Sequence, residues 1–158
     1  MTTEIIRYAV DEDGIATLTL DYPGKTMNVI DQAFMDSLEA CIARMQGDGR
    51  VRGGIITSGK DSFVAGADLM GMEANIDAMA DMPIEELFAS CASLSRLLRK
   101  LETLGKPLVA AINGMALGGG YEICLACHHR IAADAPTVMV GLPEAQVGLL
   151  SGAGGTQR

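Results

Sequence analysis

The stretch Leu108-Val-Ala-Ala-Ile-Asn-Gly-Met-Ala-Leu-Gly-Gly-Gly-Tyr-Glu122 decides the fold of this chain. Its first five residues are apolar and predict a short buried strand, and Asn113-Gly114 predicts a turn. The three glycines that follow open a predicted helix that runs to about Cys127. A strand that turns directly into a helix is half of a βαβ unit, so we expect a parallel sheet around it.

The rest of the chain repeats this alternation of strands and helices. The first two strands flank an acidic turn and predict a β-hairpin, and Asp31 is a plausible N-cap. We therefore expect an α/β fold with a mainly parallel sheet. The predicted strands are 4–10, 15–20, 53–57, 108–112, 130–133 and 138–140, and the predicted helices run from Asp31 to Gly47, from Ile84 to Leu101 and from Gly118 to Cys127.

Composition sets the class of protein. The chain has 158 residues, of which 49% are apolar and 20% charged, and this favours one compact domain. It contains no apolar run of membrane-spanning length and no basic start followed by an apolar stretch, so we expect a cytoplasmic protein without a membrane span. The net charge of −8 argues against general affinity for nucleic acid, which requires a basic surface.

Several common site patterns are discounted. The four cysteines are expected to be reduced, buried thiols, and Cys124-Leu-Ala-Cys127-His128 satisfies a haem-attachment pattern only inside an apolar helical stretch. The glycines from Gly148 to Gly155 do not form a dinucleotide fingerprint. The two histidines stand side by side and offer no Ser-His-Asp triad. These patterns direct attention to carboxylates and backbone amides, and we expect no metal.

Gly118-Gly119-Gly120 is the most informative part of the sequence. Glycines at the start of a helix let a ligand atom approach the main chain and accept hydrogen bonds from free amides at the positive helix end. Glu122 follows within the first helical turn, so its carboxylate can stand beside that ligand. The alternative remains open that the glycines allow tight helix–strand packing and that Glu122 only favours the helix N-terminus.

Two further segments gain meaning beside these glycines. Ala65-Gly66-Ala67-Asp68-Leu69 has small residues that would let a second amide reach the same ligand oxygen, while Asp68 is expected to cap or brace its loop. Gly141-Leu142-Pro143-Glu144 places another carboxylate after a strand end. By itself Glu144 would be a solvated loop acid, but two carboxylates at one oxyanion site could hold and activate a water molecule.

Three segments of the chain resemble, in the same order, the enoyl-CoA hydratase/isomerase (crotonase) family. They are Phe63-Val-Ala-Gly-Ala-Asp-Leu69, Asn113-Gly-Met-Ala-Leu-Gly-Gly-Gly-Tyr-Glu122 and Leu142-Pro-Glu-Ala-Gln-Val-Gly-Leu-Leu-Ser-Gly-Ala-Gly-Gly-Thr-Gln-Arg158. The resemblance is greatest to the N-terminal part of multifunctional fatty-acid oxidation complex α-subunits. It implies a crotonase-type spiral of ββα units, of which residues 1–158 would be the N-terminal core, truncated at the C-terminus. Ser151 departs from the family, where proline is common.

The resemblance also implies roles for individual residues. The amides of Ala67 and Gly119 match the family's oxyanion hole, and Glu122 and Glu144 match the two acids of the hydratases. The segment from Ala65 to Pro83 has weak periodicity and is predicted to be irregular. Within it, the resemblance implies that the variable region from Met70 to Met82 would lie beside the acyl chain. The residues that match substrate- and CoA-binding positions are Lys25, Thr26, Met27, Ala65, Gly66, Asp68, Leu69 and Gly118.

The implied activity is reversible addition of water to trans-2-enoyl-CoA, giving 3-hydroxyacyl-CoA in fatty-acid β-oxidation. No cofactor is implied beyond the coenzyme A of the substrate, and NAD is expected only if a 3-hydroxyacyl-CoA dehydrogenase domain follows. The implied partners are an acyl-CoA thioester and either a homo-oligomer or a fatty-acid oxidation complex with a thiolase subunit. The alternatives are a Δ3-Δ2-enoyl-CoA isomerase, a dual activity, or a non-catalytic acyl-CoA-binding fragment.

Overall fold

A computed structural model of the chain describes residues 4–69, 71 and 80–158. The strands in these residues are β1 (Ile6–Val10), β2 (Ile15–Leu20), β3 (Gly53–Ser58), β4 (Leu108–Ile112), β5 (Ala116–Leu117), β6 (His129–Ala132) and β7 (Val140–Gly141). The helical elements are α1 (Gln32–Gly47), α2 (Ile84–Cys91), α3 (Ser93–Glu102), α4 (Gly119–Ala126) and a 3-10 helix (Glu144–Val147).

A five-stranded sheet with the order β1-β2-β3-β4-β6 forms the centre of the molecule. The hairpin partners β1 and β2 are antiparallel, whereas β2, β3, β4 and β6 run parallel to one another. Helices lie between the parallel strands in the chain, as crossover connections require. A second, two-stranded parallel sheet joins β5 to β7. The predicted α/β class and the mainly parallel sheet are therefore confirmed.

The core lies between the sheet and the helices α1, α3 and α4, and it follows the predicted apolar pattern. Helix α1 begins where Asp31 Oδ1 accepts a hydrogen bond from the Phe34 amide at 2.9 Å, as an N-cap should. Phe34, Leu38 and Met45 on its inner face are fully buried. Gly54 leaves room for this packing, because a Cβ atom there would lie 2.7 Å from Cε of Met45.

The predicted single helix from Ile84 to Leu101 is wrong in one respect, since the structure has two helices that meet at Ala92. The Ser93 hydroxyl donates a 2.6 Å hydrogen bond to the Ser90 carbonyl oxygen, and such local bonds compete with the regular helical pattern. Helix α3 buries three leucines, whereas α2 has no buried residue. The apolar periodicity continues across the break and therefore could not reveal it.

The structure also differs from the predictions at β5, at Cys91 and in the predicted irregular segment. The sequence predicted no strand where β5 lies, and Cys91 is exposed rather than buried. Residues 70 and 72–79 of the predicted irregular segment lie outside the described residues, while Leu69, Gly71 and Ala80 have helical backbone. Among the described residues, no helix is long and apolar enough to cross a membrane.

Candidate active site

The glycine turn before α4 serves two different purposes. Gly118 has φ 52° and ψ −127°, a conformation that strains any residue with a side chain. A Cβ atom there would also lie 3.2 Å from Glu144 Oε1. At Gly120 a Cβ atom would lie 2.4 Å from the Val64 carbonyl oxygen, so this glycine allows tight packing. The tight-packing interpretation is therefore confirmed at Gly120, and the ligand-binding interpretation stays a prediction.

The turn presents amides that have no acceptor among the described residues, and the Gly119 amide is the first of them. The Gly118 amide donates to Gly141 O at 2.9 Å, and the Glu122 amide donates to Gly118 O at 3.0 Å. The Gly119 amide, at the first position of α4, donates to none of the described groups. The first amides of a helix lack intrahelical acceptors, so this N–H is available to a ligand.

A second amide is similarly available in the loop that carries Ala67. Ile30 forms a parallel bridge with Ala67, in which the Ile30 amide donates to Gly66 O at 2.8 Å. The amide of the bridged residue then points to the other side, where β5 lies next to this loop. A Cβ atom at Gly66 would be 3.2 Å from Leu117 O. The Ala67 amide donates to no acceptor in the described part of the chain.

Glu122 is 2% exposed, and its carboxylate is held from one side. Its Oε1 accepts hydrogen bonds from the amides of Ala153 at 2.9 Å and Gly155 at 2.8 Å. These bonds compensate the burial of a charged group. Its Oε2 lies 3.9 Å from the position of a Cβ atom at Gly119. One oxygen is therefore fixed by the glycine-rich C-terminal turn, and the other lies beside the α4 turn.

Glu144 lies beside the same turn. It begins the 3-10 helix, and its Oε1 contacts Gly118 as described above. Its Oε2 is buried and has no hydrogen-bond partner in the described part of the chain. A buried carboxylate oxygen without a partner is costly and calls for an explanation. A ligand group that exchanges a proton with this oxygen would provide one.

Apart from Gly118, the predicted substrate- and CoA-binding residues lie on two loops that an ion pair joins. Lys25 Nζ lies 2.8 Å from Asp68 Oδ2 and 3.6 Å from Asp31 Oδ2, and the hydrogen bond with Asp68 raises the pKa of Lys25. Asp68 braces its loop, as predicted, since its Oδ1 also accepts from the Gly71 amide at 3.2 Å. Thr26, Met27 and Leu69 are exposed on these loops, and Ala65 and Gly66 lie beneath them.

Two polar residues that the sequence did not single out hold these loops in place. Lys60 Nζ donates to Lys25 O at 2.8 Å and lies 3.2 Å from Asp21 Oδ1. Asn28 is fully buried, and its side-chain amide connects four segments of the chain. Its partners are Tyr22 N at 2.8 Å, Leu20 O at 3.2 Å, Ser58 Oγ at 2.9 Å and Phe63 O at 3.0 Å.

The cysteines of the haem-like pattern have structural surroundings. Cys124 Sγ lies 3.3 Å from Gly120 O and Cys127 Sγ lies 3.4 Å from Ile123 O. Burial raises the pKa of both thiols, to about 12 for Cys127, so they are poor nucleophiles and ligands. No group of three or more His, Cys, Asp or Glu side chains in the described residues is arranged to hold a metal ion.

The fold and the glycine turn together define a crotonase-type α/β protein. Residues 11–158 match the family model described as enoyl-CoA hydratase/isomerase, and the chain belongs to that family. Among solved structures, an enoyl-CoA hydratase from Bacillus anthracis is similar with a TM-score of 0.81 and 30% identity, over 97% of this chain and 56% of that one. An enoyl-CoA hydratase from Geobacillus kaustophilus HTA426 gives a TM-score of 0.84 and 28% identity, over 99% and 56%.

The chain is also similar to curated relatives from one branch of the family. The chain is 45% identical over 153 residues to the fatty acid oxidation complex subunit alpha of Shewanella loihica and 43% identical over 152 residues to that of Shewanella oneidensis. Each match covers 93% of this chain and 20% of the relative. The chain therefore spans about a fifth of the length of these relatives. The predicted family and its most similar branch are confirmed.

Proposed function

We propose that this chain catalyses the reversible hydration of trans-2-enoyl-CoA to 3-hydroxyacyl-CoA in fatty-acid β-oxidation. The observation that carries the proposal is the pair of carboxylates at one glycine turn. Among the described residues, Glu122 is fixed through one oxygen, Glu144 has a buried oxygen without a partner, and the Gly119 amide at the same turn donates to no acceptor. Family membership supports the same chemistry, because a related enoyl-CoA hydratase shares the fold.

The amides of Ala67 and Gly119 would bind the thioester carbonyl oxygen. Attack of water on the β-carbon moves electrons through the conjugated system onto that oxygen, which acquires enolate charge. Amide donors that are already oriented stabilise this charge by about 3 kcal/mol each. The location of Gly119 at the positive end of α4 adds to the effect.

The two carboxylates would divide the proton transfers. Glu122 would accept a proton from the attacking water through Oε2, because its Oε1 already accepts two amide hydrogen bonds. Glu144 would deliver a proton to the α-carbon through Oε2, its unpartnered oxygen. One proton is taken and one is given, so the net change is the addition of water. The reaction involves no net oxidation or reduction, and we propose no cofactor for it.

The substrate's CoA portion would bind along the two loops joined by Lys25 and Asp68. The residues proposed to line it are Lys25, Thr26, Met27, Ala65, Gly66, Asp68, Leu69 and Gly118. The relatives are named as subunits of a fatty acid oxidation complex. We accordingly propose that this chain acts in such a complex or in a homo-oligomer, a question that gel filtration of the protein with and without a thiolase subunit would answer.

Kinetics of two variants test the proposal. Hydration of crotonyl-CoA is followed by the loss of absorbance of the conjugated thioester. We expect Glu122→Gln and Glu144→Gln each to lower kcat by about 10²–10⁴-fold, because each removes a proton-transfer group. Glu39→Gln, an exposed change on α1, is the matched control. Near-normal turnover by Glu122→Gln would contradict the assignment, and thioester binding without hydration by the unaltered protein would identify an acyl-CoA-binding module instead.

A second candidate reaction is isomerisation of 3-enoyl-CoA to trans-2-enoyl-CoA at the same site. The asymmetry of the two carboxylates favours it, since Oε2 of Glu144 is the one carboxylate oxygen of the described residues that is buried and unpartnered. That one group could remove a proton from C2 and return it at C4. Isomerisation that persists in Glu122→Gln and is lost in Glu144→Gln would establish this activity, either alone or beside hydration.

A further inference from the structure

We infer that Gly155 is a positioning residue for Glu122, and that the amides of residues 153 and 155 determine which carboxylate oxygen faces the reacting atoms. The inference rests on the proposed function. Both amides donate to the same oxygen, Oε1, at 2.9 and 2.8 Å. Since Oε1 is occupied, Oε2 is the oxygen that remains beside Gly119. We call the amides of Ala153 and Gly155 the amide cradle.

The space around Gly155 shows why this position has no side chain. A Cβ atom there would lie 2.9 Å from Cγ and 3.1 Å from Oε1 of Glu122, and 2.9 Å from Cδ1 of Leu142. All three are side-chain atoms, so the main chain can accommodate an alanine if these side chains move. The Glu122 carboxylate must then leave its place. A methyl group at residue 155 therefore displaces the carboxylate and not the fold.

The amide cradle is also held from behind. Arg158 Nη1 donates a hydrogen bond to the Ala153 carbonyl oxygen, and Arg158 Nε lies 3.5 Å from Glu102 Oε2 on α3. The amides of Gln157 and Arg158 donate to Gly154 O at 3.1 and 3.2 Å. These contacts close the turn, so its amides are oriented before substrate binds. Such preorganisation is what a catalytic carboxylate requires.

Gly152 provides a matched control in the same turn. A Cβ atom there would approach only Leu150 O, at 4.0 Å. Alanine at residue 152 therefore adds the same methyl group without touching Glu122. Neither Gly152 nor Gly155 has the left-handed backbone that would strain an alanine. A difference in kcat between the two variants then reflects displacement of the Glu122 carboxylate and not the loss of glycine flexibility.

Steady-state hydration of crotonyl-CoA by the two variants tests the inference. The assay uses the purified full-length protein. Gly155→Ala should lower kcat by about 100-fold, the effect of displacing a catalytic group by about 1 Å. Its KM and thermal midpoint should stay close to the values of the unaltered protein, and Gly152→Ala should match that protein in all three. An unchanged kcat in Gly155→Ala, with normal hydration by the unaltered protein, overturns the inference and leaves the proposed function intact.

A second measurement does not depend on activity. Amide proton NMR shifts of Ala153 and Gly155 report on the acceptor they share. Glu122→Gln replaces a charged acceptor by a neutral one, which weakens both hydrogen bonds. Both amide signals should move upfield, while that of Gly152 should stay in place. Unmoved amide signals at residues 153 and 155 would overturn the inference, whether or not the protein hydrates a thioester. Absence of hydration by the unaltered protein would refute the proposed function, and it is a separate result.

Discussion

Replacement of Asn28 by alanine should destabilise the protein more than any ordinary surface change. Asn28 is fully buried, and its side chain connects β2, the loop after it, β3 and the segment before Ala65. The loops that carry Lys25 and Ala67 both depend on these hydrogen bonds. We therefore expect the variant to lose stability and to hold the substrate-binding loops less firmly.

The expected loss of stability depends on which hydrogen-bond partners of Asn28 would have no other partner in the variant. Leu20 O also accepts from the Gly59 amide at 2.9 Å, and Ser58 Oγ also donates to Ser62 O at 2.6 Å. The Tyr22 amide and Phe63 O have no other partner among the described residues. Each orphaned buried group costs about 1–3 kcal/mol. The free energy of unfolding should therefore fall by about 4 kcal/mol, a large share of the 5–15 kcal/mol typical of a domain.

Urea denaturation provides the assay, with the midpoint and the slope measured together. A lower midpoint at unchanged slope indicates lost native-state stability. Gln32→Ala is the control, because Gln32 makes an exposed hydrogen bond to Asp36 and should cost less than about 0.5 kcal/mol. A loss below about 1 kcal/mol in Asn28→Ala would refute the reasoning, since it would mean that the two orphaned groups find partners elsewhere.

Three further predictions concern packing, acid stability and thiol reactivity. Gly120→Ala should lower the free energy of unfolding by at least about 2 kcal/mol, because its Cβ atom would meet the carbonyl oxygen of Val64 at 2.4 Å; equal urea midpoints would disprove this. Hydrogen bonds from Arg50 lower the pKa of Asp48 to about 2. The stability they contribute is present above the unfolded pKa of about 3.9 and is lost as the pH falls through 2, so Asp48→Asn should flatten the dependence of Tm on pH in that window. Cys91 is exposed, whereas burial raises the pKa of the other three thiols. A disulfide reagent should therefore modify one thiol per chain in a fast phase at pH 8, and Cys91→Ser should abolish that fast phase.

The regular elements could be predicted because their signals are local. The alternation from Ile15 to Leu20 and the apolar stripe of α1 each reflect one face of one element turned to the core, and periodicity measures this directly. Strand β5 is two residues long and pairs with β7 through a contact between distant segments. No window of sequence contains that information. The division at Ala92 could likewise not be predicted, because the apolar periodicity continues across it.

The candidate site was predictable as a set of residues but not as an arrangement. The glycines before α4 and the two glutamates could be selected from residue type and order. The sequence did not show that Glu122 is bound by the amides of Ala153 and Gly155, or that Oε2 of Glu144 is buried without a hydrogen-bond partner among the described residues. Backbone amides have no residue-specific signature, since every residue except proline carries one. Their role is visible only once the chain has folded.

Glycine identity at this site follows from three separate physical requirements. Gly118 needs a backbone conformation with positive φ, Gly120 needs room against a neighbouring main chain, and Gly155 needs room for a catalytic side chain. The neighbour that a methyl group would strike decides the consequence, because a backbone carbonyl cannot yield as a side chain can. Alanine at 120 should therefore reduce stability, whereas alanine at 155 should reduce turnover. Stability and catalysis are thus encoded by the same residue type in one small region, and only the contacts of each glycine separate them.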